Sequence, residues 1–282
     1  MMRIDAHQHY WSLARGDYGW LTPELAAIHR DFGPTDLAPH LAAGRIDRTL
    51  LVQAAPTEAE TRYLLDLAAR HETIAGVVGW VDFDAPDAPR RVAALATDPL
   101  LVGLRPMIHD IADPDWMLGP SILPVLRAMM DEGLVFDALV RPPHLSRLIV
   151  LADRMPDLAI VVDHAAKPLI RQRIQEPWSS DLAALARRPN VVVKLSGMLT
   201  EAAPGDGMYH LYPFIRTVLE AFGPERILFG SDWPVLNLAG TYADWLDIVE
   251  RTMAGLSGEA QSAIMGGNAA RIYLSKRGRR QC

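Results

Sequence analysis

The sequence predicts a single (β/α)8 barrel, and three observations predict it. Eight short apolar runs alternate with eight helical segments, the length suits such a barrel, and the chemically useful side chains fall at the C-terminal ends of the runs. Near-continuous Val, Ile and Leu runs separated by helices indicate parallel strands covered on both faces. Eight such units favour a closed barrel over an open doubly wound sheet. The 282 residues stand near the roughly 250 typical of the fold. No G-x-G-x-x-G or P-loop follows any run, which removes support for nucleotide-binding sheets.

The elements follow in order. Residues 3–11 (RIDAHQHYW) read as the first strand, and 12–34, rich in Gly and Pro with no clean period, as a loop after it. A helix is expected over 35–43 and a second strand over 48–55 (RTLLVQAA). Thr57 and Glu60 have the spacing of a capping box that opens a helix over 57–71. Strands then fall at 74–83, 100–108, 134–140, 158–164, 191–196 and 226–232. The helices that follow them fall at 88–97, 121–132 (closed by Gly133), 144–154, 180–188, 209–222 and 241–253. One more helix, 259–274, lies outside the eight-fold count. No composition break divides the chain, so 1–275 reads as one domain and 276–282 as a basic tail.

Composition narrows the function classes. Half the residues are hydrophobic, the formal charge is −6 and the pI is near 5.8. A nucleic-acid partner would need a basic face, and the cluster Lys276, Arg277, Arg279 and Arg280 reads as a solvated tail. Cys282 is the sole cysteine, so no intrachain disulfide is possible. No apolar run has the length of a membrane span, and residues 1–20 lack a secretory pattern, so a cytoplasmic protein with no membrane partner is expected.

The strand ends carry the chemistry. His7 and His9 stand two apart, so a strand sends both imidazoles to one side. The second strand ends near Gln53, and the fourth near Arg105, with His109 and Asp110 beyond. Asp163 and His164 end the sixth, with Lys167 beyond; Lys194 and Ser196 end the seventh, and Ser231 and Asp232 the eighth. Enzyme barrels place their sites at this rim. Structural roles compete for some of these. Asp163 should face away from His164 and brace helices, Arg105 has a partner in Asp137, and Lys194 and Ser196 share a parity that can point outward. His29, His40, His71, His144 and His210 are expected at the surface, His210 being the first exception to consider. Trp11, Trp20 and Trp233 are candidates for a pocket wall.

With DAHQHYW, VGLRP, DHAAKP, KLSG, FGSDWP and GGNAARIY in this order, the sequence resembles the amidohydrolase superfamily, in its branch of sugar-acid and pyrone-dicarboxylate lactonases. The resemblance implies a distorted TIM barrel and hydrolysis of a cyclic ester. It places His7, His9, His164 and Asp232 at the family's functional positions, which in the wider superfamily hold one or two divalent metals. Some lactonases of the branch work without metal. Binuclear members carry a bridging lysine or glutamate on strand four and a histidine on strand five; LLVGLRPMI and LVFDALV supply neither. The expectation is therefore at most one divalent ion, Zn²⁺ first, with the reaction's need for it left open. Asp232 would serve as general base on the attacking water, and the three histidines would polarise the carbonyl directly or through the ion. Arg105, Gln53, His109, Trp11 and Trp233 would hold a small lactone or sugar acid. A metal-dependent decarboxylase and a non-catalytic sugar-acid-binding barrel are the alternatives.

Overall fold

The computed structural model describes residues 2–275. Eight parallel strands pair in sequence order: β1 (Ile4–Gln8), β2 (Arg48–Val52), β3 (Ile74–Gly79), β4 (Leu101–Leu104), β5 (Val135–Ala138), β6 (Ile160–Val162), β7 (Val191–Leu195) and β8 (Ile227–Phe229). The sheet closes at its C-terminal rim. Just past β8, the Asp232 amide donates to His7 O at 2.8 Å, and the His9 amide donates to Trp233 O at 2.7 Å. This is a TIM barrel, as the alternation of runs and helices predicts.

Helices follow the strands: α1 (Pro34–Gly44), α2 (Glu58–Arg70), α3 (Ala88–Leu95), α4 (Ile122–Asp131), α5 (Leu145–Arg154), α6 (Trp178–Ala186), then the short α7 (Met198–Glu201) with α8 (Met208–Phe222), and α9 (Tyr242–Thr252). Their formation is local. In α5 the buried Leu145, Leu148, Leu151 and Ala152 recur at helical spacing and face the sheet. The helix stops one residue before Met155, whose α conformation is disfavoured by Pro156. Thr57 caps α2 by accepting from the Glu60 amide at 3.0 Å. The other half of the expected capping box does not form. The Glu60 carboxylate instead accepts from the amides of Ala54 and Ala55 and pins the loop after β2.

Two further expectations are corrected. The strands are shorter than the apolar runs, because the last residues of most runs leave the ladder to form the loops of the rim. The segment 259–274 is not one helix: α10 (Gly258–Ser262) gives way to wide turns over Ala263–Gly267 and Ala270–Leu274. These turns serve the core. Ile4, Ala6, Leu50, Val52, Val78, Val102, Val135, Val161, Val192 and Leu228, drawn from all eight strands, fill the barrel, and Ala269 and Tyr273 of the last segment pack with them. Among the described residues no helix is long and apolar enough to cross a membrane. The basic tail and Cys282 lie outside the described residues.

Candidate active site

The site is assembled by local departures from regular strand geometry. In β1 the partners run Ile4 to Arg48, Asp5 to Thr49 and Gln8 to Leu51, so β1 carries one residue more than β2 over this stretch. Such a bulge re-aims side chains. Ile4 and Ala6 point into the barrel core, yet His7 and His9 also reach its interior, with their Nε2 atoms 3.2 Å apart. Asp5 holds the bulge. Its carboxylate accepts from the amides of His7 (3.1 Å) and Ser231 (2.8 Å) and from the Tyr242 hydroxyl (3.0 Å). Burial outweighs these bonds and pushes its pKa up to about 6. Sequence reasoning missed this role, although Asp5 stands inside the DAHQHYW motif.

At β6 the strand ends at Val162, and four non-glycine residues in succession, His164 to Lys167, take positive φ between 49° and 61°. Left-handed backbone at such residues is costly and concentrates at functional sites. The turn brings both Asp163 and His164 to the site. This corrects the expectation that Asp163 braces helices, which assumed an unbroken strand. Gly197 makes room: a Cβ there would stand 2.5 Å from His164 Nδ1. At β8, a Cβ on Gly230 would stand 2.8 Å from His7 Cβ, and Asp232 follows with φ 59°. On β7, Lys194 and Ser196 share the parity of inward-facing Val192 and point inward, not into the strand–helix layer.

Four atoms converge. Asp232 Oδ1 lies 3.3 Å from His9 Nε2, 3.7 Å from His7 Nε2 and 3.9 Å from His164 Nε2. The opposite ring nitrogens have their own partners. His9 Nδ1 stands 2.8 Å from Val52 O, which only accepts, so Nδ1 carries the proton and Nε2 presents a lone pair. His164 Nδ1 meets Ser196 Oγ at 2.9 Å, and His7 Nδ1 lies 3.3 Å from Asp163 Oδ1. Burial holds the pKa of His7 and of His164 well below the usual imidazole value, so both are neutral near pH 7.

Within this cluster His7, His9 and Asp232 have donor atoms that all lie within 4.8 Å of one another and fit a divalent ion, and His164 stands outside that set. Donors on a tetrahedral sphere of about 2.0–2.1 Å stand roughly 3.3 Å apart, and Zn²⁺ takes His nitrogen and carboxylate oxygen. The imidazole of His9, whose far nitrogen is held by a backbone acceptor, is of the kind such ions usually take. A second group, His7, Asp163 and His164, lies beside the first. It is a poorer set, because Lys194 Nζ at 3.1 Å and Arg105 Nη1 at 3.5 Å already occupy Asp163.

Above these atoms lies a cavity of about 240 Å³. Trp20, Met107, Leu139 and Val235 give it apolar walls, and Arg105, His109 and Lys167 line its polar side. The structure sorts the remaining candidates. Arg105 reaches the cavity, but its guanidinium is bonded to Gln53 O and Asp163, so its carboxylate partner is Asp163 and not Asp137. Gln53 is buried behind the wall, donating to Arg105 O at 2.8 Å. His109 is on the wall beside Asp110 (3.1 Å), its pKa pushed down to about 4 by burial. Lys167 is held by Glu201 at 2.8 Å. Trp11 and Trp233 do not line the cavity. Both are 1% exposed and pack around Phe32 in the layer behind it. His144 is buried and accepts from the Arg141 amide, which corrects its placement at the surface. His210 pairs with Asp206 away from the site.

Known proteins of this shape give the constellation a context. The chain is 47% identical over 275 residues to an L-fucono-1,5-lactonase of Burkholderia ambifaria, covering 96% of this chain and 95% of that one. It is 35% identical to an L-fucono-1,5-lactonase of Burkholderia multivorans, covering 96% of each. A crystal structure of an amidohydrolase from Burkholderia multivorans with bound zinc superposes with a TM-score of 0.92 at 35% identity, covering 97% of this chain and 99% of that one. The Amidohydrolase family model matches residues 4–274, and the chain belongs to the amidohydrolase family.

Proposed function

We propose that this protein is a lactonase, a carboxylic-ester hydrolase that opens the ring of a sugar-acid lactone, with L-fucono-1,5-lactone the first substrate to try. The observation that carries the reading is the convergence of three imidazole Nε2 atoms and the Asp232 carboxylate at the base of a sugar-sized cavity. The two curated lactonases similar to the chain over nearly its whole length support the substrate class.

Lactone hydrolysis needs an activated water, charge stabilisation at the carbonyl oxygen and a proton for the leaving alkoxide. Asp232, ionised and buried, accepts the proton of the attacking water and returns it to the ring oxygen. The lone pair at His9 Nε2 has a direct consequence: in this tautomer Nε2 cannot donate a hydrogen bond to a carbonyl. Its geometry favours holding an ion over direct polarisation. His7, His9 and Asp232, with His164 beside them, would hold one divalent ion, zinc by the chemistry of the set, and it would supply Lewis-acid polarisation of the carbonyl. Arg105 and Lys167 face the same cavity and stabilise negative charge that develops on the opened acid. Trp20, Met107 and Leu139 exclude water from the rest of the ring.

The test is acid release from L-fucono-1,5-lactone in a pH-indicator assay, against a panel of hexono- and pentono-lactones. Ring opening of at least one sugar-acid lactone with a kcat/KM above about 10⁴ M⁻¹s⁻¹ is expected. Carbon dioxide release from an aromatic acid without lactone turnover would overturn the reading.

A further inference from the structure

The barrel floor holds a buried ionic chain that ends on His7. Tyr273, from the last described segment, sends its hydroxyl to Asp137 on β5, 2.8 Å from Oδ1 and 2.9 Å from Oδ2. Asp137 Oδ2 accepts from Lys194 Nζ on β7 at 2.5 Å. The same ammonium lies 3.1 Å from Asp163 Oδ1, and that oxygen lies 3.3 Å from His7 Nδ1. Lys194, Asp137 and Asp163 are wholly buried. With Arg105 beside Asp163, two cations face two carboxylates.

Such an arrangement is expensive to bury, and hydrophobic replacements of the same volume are often no less stable. These groups come from different strands, from the turns just past them or from the terminal segment, so packing alone gives no reason to collect them here. The position of the chain does. His7 Nδ1 stands between Asp163 Oδ1 and Lys194 Nζ, each at 3.3 Å, the lysine contact having hydrogen-bond geometry, while Arg105 Nη1 donates towards Nε2 at 3.4 Å, which calls for the lone pair there. If the ammonium donated to Nδ1, the proton of His7 would move to Nε2 and the lone pair would leave the site. Asp137, itself fixed by Tyr273, holds the ammonium more closely, at 2.5 Å against 3.3 Å to His7 Nδ1.

We propose that Tyr273, Asp137 and Lys194 are positioning residues that hold Asp163 against His7 and so fix His7 with its proton on Nδ1 and its lone pair on Nε2. The inference rests on the reading of His7 as a ligand in the site above. It makes the terminal segment, which does not line the substrate cavity, a part of the site's machinery. Partners that orient a ligating histidine are worth about 10–100-fold in metal affinity or activity.

Two variants test it. Tyr273→Phe keeps the ring and removes one hydroxyl. The double variant Lys194→Met with Asp137→Asn removes an ion pair as a unit, so the remaining Arg105–Asp163 pair stays balanced and the core keeps its volume. The first measurement is long-range ¹⁵N–¹H correlation of metal-free protein with labelled histidine, His7 being assigned by comparison with His7→Gln. Wild type is expected to show Nδ1 protonated and Nε2 bare at His7, and the double variant a mixture or the reverse. The second is the affinity for Zn²⁺ by competition with a chelating dye, expected to fall about tenfold in Tyr273→Phe and more in the double variant. Folded variants that keep the wild-type tautomer and bind Zn²⁺ within twofold of wild type would overturn the proposal and leave the chain a packing feature. Because the tautomer is read without metal or substrate, this outcome is separate from a failure of the lactonase reading, which would show as a wild type inert to every lactone.

Discussion

Asp232 Oδ1 lies 3.3 Å from His9 Nε2 across the seam where the barrel closes, the carboxylate on the turn after β8 and the imidazole just beyond β1. The two residues are also joined through backbone: the Asp232 amide donates to His7 O, and the His9 amide to Trp233 O. The contacts that close the barrel also bring the site together.

Asp232→Asn keeps the shape of this contact but removes the proton acceptor. A loss of about 10²–10⁴-fold in kcat is expected, with the melting temperature nearly unchanged. Steady-state kinetics on the best lactone check it, and near wild-type kcat would take Asp232 out of the role of base.

Arg105→Met is expected to damage both function and stability. The guanidinium faces the cavity, but it also bonds Gln53 O and Asp163 and stands 3.4 Å from His7 Nε2. Leaving buried acceptors short of a donor costs about 1–3 kcal/mol. Thermal unfolding and kinetics together decide the matter. A raised KM with an unchanged melting temperature would mean that Arg105 serves the substrate alone.

Elemental analysis of the purified protein should find one divalent ion per chain and not two. The good donor set is single, and the neighbouring group has Lys194 and Arg105 on its carboxylate. Exhaustive chelation is expected to remove most of the activity and added Zn²⁺ to restore it, since His9 Nε2, with its far nitrogen protonated against Val52 O, has no proton to offer a carbonyl. Two bound equivalents, or full activity after chelation, would contradict these expectations in turn.

Gly197→Ala should be far worse than a surface substitution. The added Cβ would meet His164 Nδ1 at 2.5 Å, and φ at this residue is +62°. A destabilisation of about 1–3 kcal/mol for the left-handed backbone should accompany a drop in kcat as the ring is displaced. Chemical denaturation and kinetics measure the two parts separately.

The tryptophans separate by role. Trp20→Ala is expected to raise KM with a modest loss of stability, because this ring walls the cavity. Trp233→Ala empties a fully buried position and should cost about 3–5 kcal/mol. Equal effects from the two on KM and melting temperature would reject this division.

What the sequence determined by itself is what local pattern controls. The alternation of β-branched runs with helices at 3.6-residue spacing yields eight parallel strands, and the polar ends of those runs place His7, His9, His164, Arg105 and Asp232 at one rim. Thr57 marks the start of α2 for the same reason: cap chemistry involves residues three apart. What only the tertiary structure decided depends on register and on neighbours distant in sequence. The β1 bulge, held by Asp5 through Ser231 and Tyr242, turns His7 and His9 into a barrel whose core Ile4 and Ala6 already face. A left-handed turn after Val162 sends both Asp163 and His164 inward, where an unbroken strand would have parted them. Strand parity gives two faces for Lys194 but does not say which is the interior, and an inward lysine is tolerable only because Asp137 and Asp163 arrive from other strands. Trp20 reaches the cavity while Trp11 and Trp233 pack behind it, since burial of a loop tryptophan is decided by what folds against it and not by its own neighbours in the chain.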